Sequence, residues 1–81
     1  MNEYKYLSFI EQASKTKTKV FAVKSKVFGD ILGHVKWYAP WRKYCFYVDS
    51  DLVFDAGCLA DIQDFMDKLM EERRKTVNDS H

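Results

Sequence analysis

Two hydrophobic rhythms divide the chain. In its last third, Leu59, Ile62, Phe65, Met66 and Leu69, with Met70 beside them, fall at helical spacing on one wide stripe. Asp55 stands just ahead, where a carboxylate accepts from the free backbone N–H groups of a first turn. Arg73, Arg74 and Lys75 follow the stripe, where cations suit the negative end of a helix dipole. The spacing predicts a helix over 55–75, with Asp61, Asp64, Asp67 and Glu71 on its solvated side and 76–81 as a frayed tail.

Upstream the period shortens to two. Phe21 and Val23 alternate with Ala22, Lys24 and Lys26; Gly33, Val35 and Trp37 with His34, Lys36 and Tyr38; Tyr44, Phe46 and Val48 with Lys43, Cys45 and Tyr47. Aromatic and β-branched residues dominate these runs, as strands prefer. Phe28-Gly29-Asp30 and Ala39-Pro40-Trp41-Arg42 supply the turns, Pro40 being unable to sit inside a paired strand. A second turn centred on Pro40-Trp41 sets Trp37 opposite Tyr44, Val35 opposite Phe46 and Gly33 opposite Val48. On the other side it sets Tyr38 opposite Lys43, Lys36 opposite Cys45 and His34 opposite Tyr47. A slip of one residue would carry Lys36 into the core, so this register is strongly specified. Leu52-Val53-Phe54 reads as an extended approach to the helix with room for an edge strand. Gly29 suits a turn, and Gly33 a place where the helix comes close to the sheet.

Nearer the N-terminus, Tyr6, Leu7, Ile10 and Ala13 follow a helical stripe with Asn2 placed as cap. A short helix over 3–13 is expected, ending in the Lys15-Thr16-Lys17-Thr18 loop. The fold class expected is therefore α+β, one domain over 1–81. A three-stranded antiparallel sheet occupies 19–54, with the long C-terminal helix and the short N-terminal one on one face. Trp37, Phe46, Leu59, Ile62, Phe65 and Leu69 form the expected core.

Composition agrees with a small, dense globule. Of 81 residues 47% are hydrophobic and 16% aromatic, with three Gly and one Pro, which excludes a disordered or low-complexity chain. No apolar run approaches the ~18 residues of a membrane span, and the first residues lack the apolar stretch of a signal peptide. Two cysteines are too few to staple a secreted mini-protein. The expectation is a protein of the cytoplasm with free thiols and no membrane contact. The net charge of +1 conceals a split: residues 1–48 carry nine Lys/Arg against three acids, residues 49–81 four against nine. Either the halves attract each other within the fold, the blander reading, or each offers its own face to a partner.

Candidate chemistry is sparse. Cys45 and His34 would be diagonal neighbours on the exposed sheet face, and a thiol beside an imidazole can become a reactive thiolate. Nothing in the pattern orients the imidazole or encloses a pocket, so a surface His and a packed Cys are expected, and no enzyme. Cys45 and Cys58 lack metal-ligand spacing, and Asp49-Ser50-Asp51 lacks the glycine and glutamate of a calcium loop. Gly29 and Gly33 belong to no phosphate-binding loop. No cofactor and no metal are expected.

One constellation remains. Lys24, Lys26, His34, Lys36, Tyr38, Lys43 and Tyr47 share the wet sheet face, with Trp41 and Arg42 at the hairpin tip. Trp, Tyr and Arg anchor protein interfaces, and aromatic rings among cations also stack and neutralise single-stranded nucleic acid. Lysines on such a face also simply discourage aggregation.

The run Gly33-His34-Val35-Lys36-Trp37-Tyr38-Ala39-Pro40-Trp41-Arg42-Lys43-Tyr44-Cys45-Phe46, with Val53-Phe54-Asp55 and Cys58-Leu59-Ala60-Asp61-Ile62-Gln63-Asp64-Phe65, resembles a family of small phage and prophage proteins. That family reads Gly-x-Val/Ile-x-Trp-Tyr, Pro-Trp-Arg, Tyr-Cys-Phe, Val-Phe, then Cys-Leu-x-Asp-Ile-x-x-Phe. The resemblance covers about residues 31–69 and implies a hairpin-plus-helix domain in a virus-encoded accessory protein of no assigned chemistry. With the residues, it yields a first expectation: a non-enzymatic binder, monomer or homodimer, that inhibits a host or defence protein in the host cytoplasm. Lys36, Tyr38, Trp41, Arg42, Lys43 and Tyr47 would make the contact. The alternative partner for the same face is single-stranded nucleic acid or a nucleotide.

Overall fold

The computed structural model describes residues 4–49 and 51–79, and side-chain surroundings as far as Lys75. Four strands, β1 (Leu7–Gln12), β2 (Val20–Ser25), β3 (Ile31–Tyr38) and β4 (Lys43–Val48), are followed by one helix, α1 (Ala56–Asp79). The strands form an antiparallel meander in the order β1-β2-β3-β4, and α1 lies across one face. The class is α+β as expected, but the sheet has four strands rather than three.

The additional strand replaces the expected N-terminal helix. Leu7 pairs with Ser25 and Gln12 with Val20, so the whole of β1 lies along β2. Leu7 is buried and Phe9 stacks on Phe65 at 4.0 Å between ring centres, while Ile10 turns to the opposite face and stays 46% exposed. Leu7 and Phe9 therefore alternate as a strand requires, and the outward Ile10 imitates a helical stripe. A helix of about ten residues would be marginal alone, whereas a strand satisfies the open edge of β2. The expected cap Asn2 lies outside the described residues.

The β3–β4 hairpin has the expected register throughout, from Gly33 opposite Val48 to Tyr38 opposite Lys43. Its tip is a single 3-10 turn, Ala39–Trp41, closed by Arg42 in the left-handed region at φ 53°. The β2–β3 ladder shifts register between Val23 and Lys24, and Gly29 takes the positive φ of the preceding turn. Gly33 has a different reason from the one expected. A Cβ there would stand 2.8 Å from the Phe46 ring and collide with the Tyr47 carbonyl, so the close approach comes from β4 and not from the helix. Leu52-Val53-Phe54 forms no strand.

Helix α1 starts as predicted. The Asp55 carboxylate accepts from the Cys58 backbone N–H at 2.8 Å, which holds its carboxyl below the usual range. Ile62, Phe65 and Leu69 are buried against Leu7, Phe21, Val23, Val35 and Tyr44, with Phe9, Trp37, Phe46, Met66 and Met70 packed around them. Leu59 is corrected: it is 50% exposed, because the helix turns Cys58, Ile62, Phe65 and Leu69 towards the core and leaves Leu59 to the side of that stripe. The helix also outlasts its expected end, because 76–79 continue it and only 80–81 lie outside the described residues. Arg73, Arg74 and Lys75 thus sit inside the helix rather than in its last turn.

Candidate functional site

Strand alternation leaves the face away from α1 without a covering layer. Across it run Ser8, Ile10 and Gln12 of β1, Val20, Ala22 and Lys24 of β2, His34, Lys36 and Tyr38 of β3, and Lys43, Cys45 and Tyr47 of β4. Four expected contact residues, Lys36, Tyr38, Lys43 and Tyr47, stand together here. The Lys36 ammonium lies 4.4 Å over the Tyr47 ring. Tyr38 meets Tyr47 edge-on at 6.3 Å and Trp41 edge-on at 4.9 Å. Trp41 stays 65% exposed, so the indole leans on Tyr38 without folding into the core. Partial burial, with Cys45 and Tyr38 alongside, pushes the Tyr47 phenol up. These rings, with Cys45, wall a shallow recess of about 200 Å³.

Lys26, expected on the wet face, and Arg42, expected at the tip beside it, do not join this group. Lys26 follows the end of β2 and donates to the Tyr4 carbonyl, tying down the N-terminal segment. Arg42 projects to the helix side of the hairpin tip, where it lines a second recess with Trp37, Met70, Arg73 and Arg74. Its left-handed backbone reverses the direction between Trp41 and Lys43, which a residue count cannot reveal.

His34 has a carboxylate neighbour that the sequence pattern did not supply, Asp49 at 3.4 Å from Nδ1. The Cys45 thiol is directed to the Lys43 carbonyl, 3.9 Å away. Burial, then Asp55, pushes the Cys58 thiol up, opposite to what an activated nucleophile needs. Among the described residues no three His, Cys, Asp or Glu side chains converge in a way that would hold a metal. No helix among them is long and apolar enough to cross a membrane.

Because the strands are antiparallel, the β1–β2 loop, the β3–β4 tip and the later turns of α1 gather at one end. That end carries Lys15, Lys17, Arg42, Lys43, Arg73 and Arg74 beside Glu11, Glu71 and Glu72, while the other carries Asp30, Asp49, Asp51 and Asp55 beside Lys24 and Lys26. An ion pair of 2.9 Å between Lys19 and Glu72 joins the two halves of the sequence. A cavity of about 410 Å³ opens at the end of the sheet opposite the hairpin tip, between Tyr6, Phe28, Leu32, Val53 and Cys58. It is remote from the aromatic face. Val27, Phe28 and Val53, which lie in turns and connecting segments, line it and stay exposed.

No protein-family model matches the chain, and no solved structure matches it. It is similar to the "Uncharacterized 9.3 kDa protein" of Acholeplasma phage L2, with 37% identity over 71 residues, 86% of this chain and 91% of that protein. At that identity and coverage the chain belongs to the same family of small phage proteins.

Proposed function

We propose that this phage-family protein is a non-enzymatic binding module that holds single-stranded nucleic acid across its open sheet face in the host cytoplasm. The observation that carries this reading is the company of the rings. Tyr38, Trp41 and Tyr47 stand beside Lys36 and Lys43, and on that face the acid in reach is Asp49, at the edge beside His34. Stacking needs exposed ring faces, and phosphates need cations that no carboxylate has neutralised. The exposed Trp41 ring, the half-buried Tyr38 and Tyr47 and the two lysines share one four-stranded face, and the Lys36 ammonium over Tyr47 would give way to a stacking base. The near-neutral total charge is no obstacle, because six of the twelve acids lie on α1, which covers the other face of the sheet.

The experiment is a titration with a labelled single-stranded oligonucleotide at low and moderate salt. Binding that weakens steeply with salt and is lost in Tyr38→Ala supports the proposal; no binding at low salt rejects it. The second reading, a host or defence protein that is bound and inhibited, draws on the exposure of Trp41. A solvated indole at a hairpin tip adds little to the fold and is a common interface anchor.

A further inference from the structure

Beneath the hairpin tip, on the opposite side from the aromatic face, Trp37, Arg42, Met70, Arg73 and Arg74 enclose a recess of about 250 Å³. Three features set it apart from an ordinary basic surface. The first is rigidity. The Arg73 guanidinium lies 4.2 Å over the Trp37 ring, and Trp37 is braced edge-on by Tyr44 at 5.4 Å. A guanidinium stacked on an indole keeps its N–H edge free and pre-aimed. The second is electrostatic. Among the described residues none of Arg42, Arg73 and Arg74 has a carboxylate at ion-pair distance. The adjacent helix acids are engaged elsewhere, Glu72 with Lys19 at 2.9 Å and Glu71 with Lys75 at 3.8 Å. Three like charges around one hollow repel unless an anion joins them. The third is backbone strain. Arg42 alone among the described non-glycine residues has a positive φ. Gly or Asn holds that conformation more cheaply, so an arginine there points to use of its side chain.

We infer that this recess is a phosphate site that takes the phosphate group of a nucleotide or of a nucleic-acid strand. Guanidinium forks match phosphate oxygens in pairs, and a doubly charged phosphate answers three cations better than a single carboxylate does. Trp37 and Met70 supply an apolar wall that excludes water from one side. The source of the phosphate rests on the proposed function. Trp41 and Arg42 are consecutive residues on opposite sides of the tip, so a strand stacked on Tyr47, Tyr38 and Trp41 runs off the sheet towards Arg42.

The test uses Trp41→Phe protein, which leaves Trp37 as the remaining one of the two tryptophans. Inorganic pyrophosphate is titrated at constant ionic strength while Trp37 fluorescence is read. A saturable change is expected, weakened at least tenfold by Arg74→Gln and by Arg42→Gln. Arg73 is the residue stacked on Trp37, so both variants keep that stack and each is compared with its own ligand-free signal. An unsaturable change, or one that both substitutions leave intact, overturns the inference. A second arm compares a nucleoside monophosphate with a short oligonucleotide carrying or lacking a 5′-phosphate. Tenfold tighter binding of the phosphorylated strand assigns the site to a strand end, and equal affinity of the mononucleotide and pyrophosphate assigns it to free nucleotides. Oligonucleotide binding with no response to pyrophosphate removes the recess site and leaves the sheet-face reading standing. A pyrophosphate response without oligonucleotide binding does the reverse.

Discussion

The Tyr4 hydroxyl donates to the Asp64 carboxylate across 2.6 Å, fastening the chain just ahead of β1 to the middle of α1. Tyr4 is buried and edge-on to both Phe9 and Phe65, so the bond sits at the rim of the core. Burial, then the hydrogen bond to Asp64 and the Asp64 charge, push its phenol well above the ordinary value, with Asp61 adding to the effect. Hydrogen bonds from Lys68, and then from Tyr4, hold the Asp64 carboxyl below its ordinary value.

The two shifts act at opposite ends of the pH scale. A phenol raised on folding contributes stability that is complete below its unfolded value, about 10, and is lost as pH climbs beyond it. A depressed carboxyl contributes stability above its unfolded value, about 4, that is lost as pH falls through the folded one. The difference in thermal midpoint between the natural protein and Tyr4→Phe should therefore be largest at neutral pH and shrink at both extremes. A difference independent of pH would detach Tyr4 from Asp64.

The core prediction sets two residues of one helix against each other. Ile62→Ala should cost roughly 2–5 kcal/mol, because Ile62 is almost fully buried under the sheet. Leu59→Ala should stay within about 0.5 kcal/mol, since Leu59 lies off the buried stripe of α1 and is half exposed. Urea unfolding of the two variants reads this directly. Equal losses would mean that α1 buries a different face from the one described.

Leu7 and Ile10 decide between the expected N-terminal helix and the observed strand. On a helix both would lie on one apolar stripe; on β1 they point to opposite faces. Leu7→Lys should unfold the domain or nearly so, while Ile10→Lys should be tolerated and add a cation to the open face. Loss of folding in both variants would favour a helix.

This pair also shows where the sequence was readable. The β3–β4 register was legible because Val35, Trp37, Tyr44 and Phe46 are apolar while Lys36 and Lys43 oppose them, so one register alone buries the right side. The start of α1 was legible from Asp55 and the Ile62–Phe65–Leu69 stripe. In β1, Ile10 is apolar on the exposed face and breaks the alternation, and the pairing that makes β1 a strand is a tertiary effect. The direction of Arg42 depends on the handedness of one backbone torsion. The meeting of Trp37 with Arg73 depends on how far α1 travels before it passes the sheet. Neither is encoded in local spacing. Four of the six expected contact residues nonetheless share the open face, with Trp41 against them, because that much follows from alternation.

Glycine has opposite consequences at two nearby positions. Gly33→Ala should destabilise by about 1–3 kcal/mol, since the Phe46 ring and the Tyr47 carbonyl must move to admit a methyl group. Arg42→Gly should leave stability unchanged or raise it by up to about 1 kcal/mol, because glycine enters the left-handed region without strain. Thermal or urea unfolding of each variant is sufficient. A clear loss in Arg42→Gly would mean that its side chain serves the fold, which would weaken the case for a ligand at the recess.

The last prediction separates the two partner classes through salt. If the open face holds a single strand, each lysine that meets a phosphate releases counterions, and the logarithm of affinity falls linearly with that of salt. Lys36→Gln and Lys43→Gln should each flatten that slope by roughly the share of one phosphate contact. Tyr47→Ala should instead cost about 1–3 kcal/mol of affinity at every salt concentration, as a lost stack does, and leave the slope in place. A protein partner gives another signature. Trp41→Ala would dominate, salt would act on the association rate more than on equilibrium affinity, and the two lysine variants would change little at equilibrium. Lys36 complicates the strand case, because its ammonium already lies over the Tyr47 ring. Removing it uncovers that ring as well as deleting a charge. Lys43→Gln is the cleaner probe, and a slope unchanged in Lys43→Gln would turn the assignment towards protein.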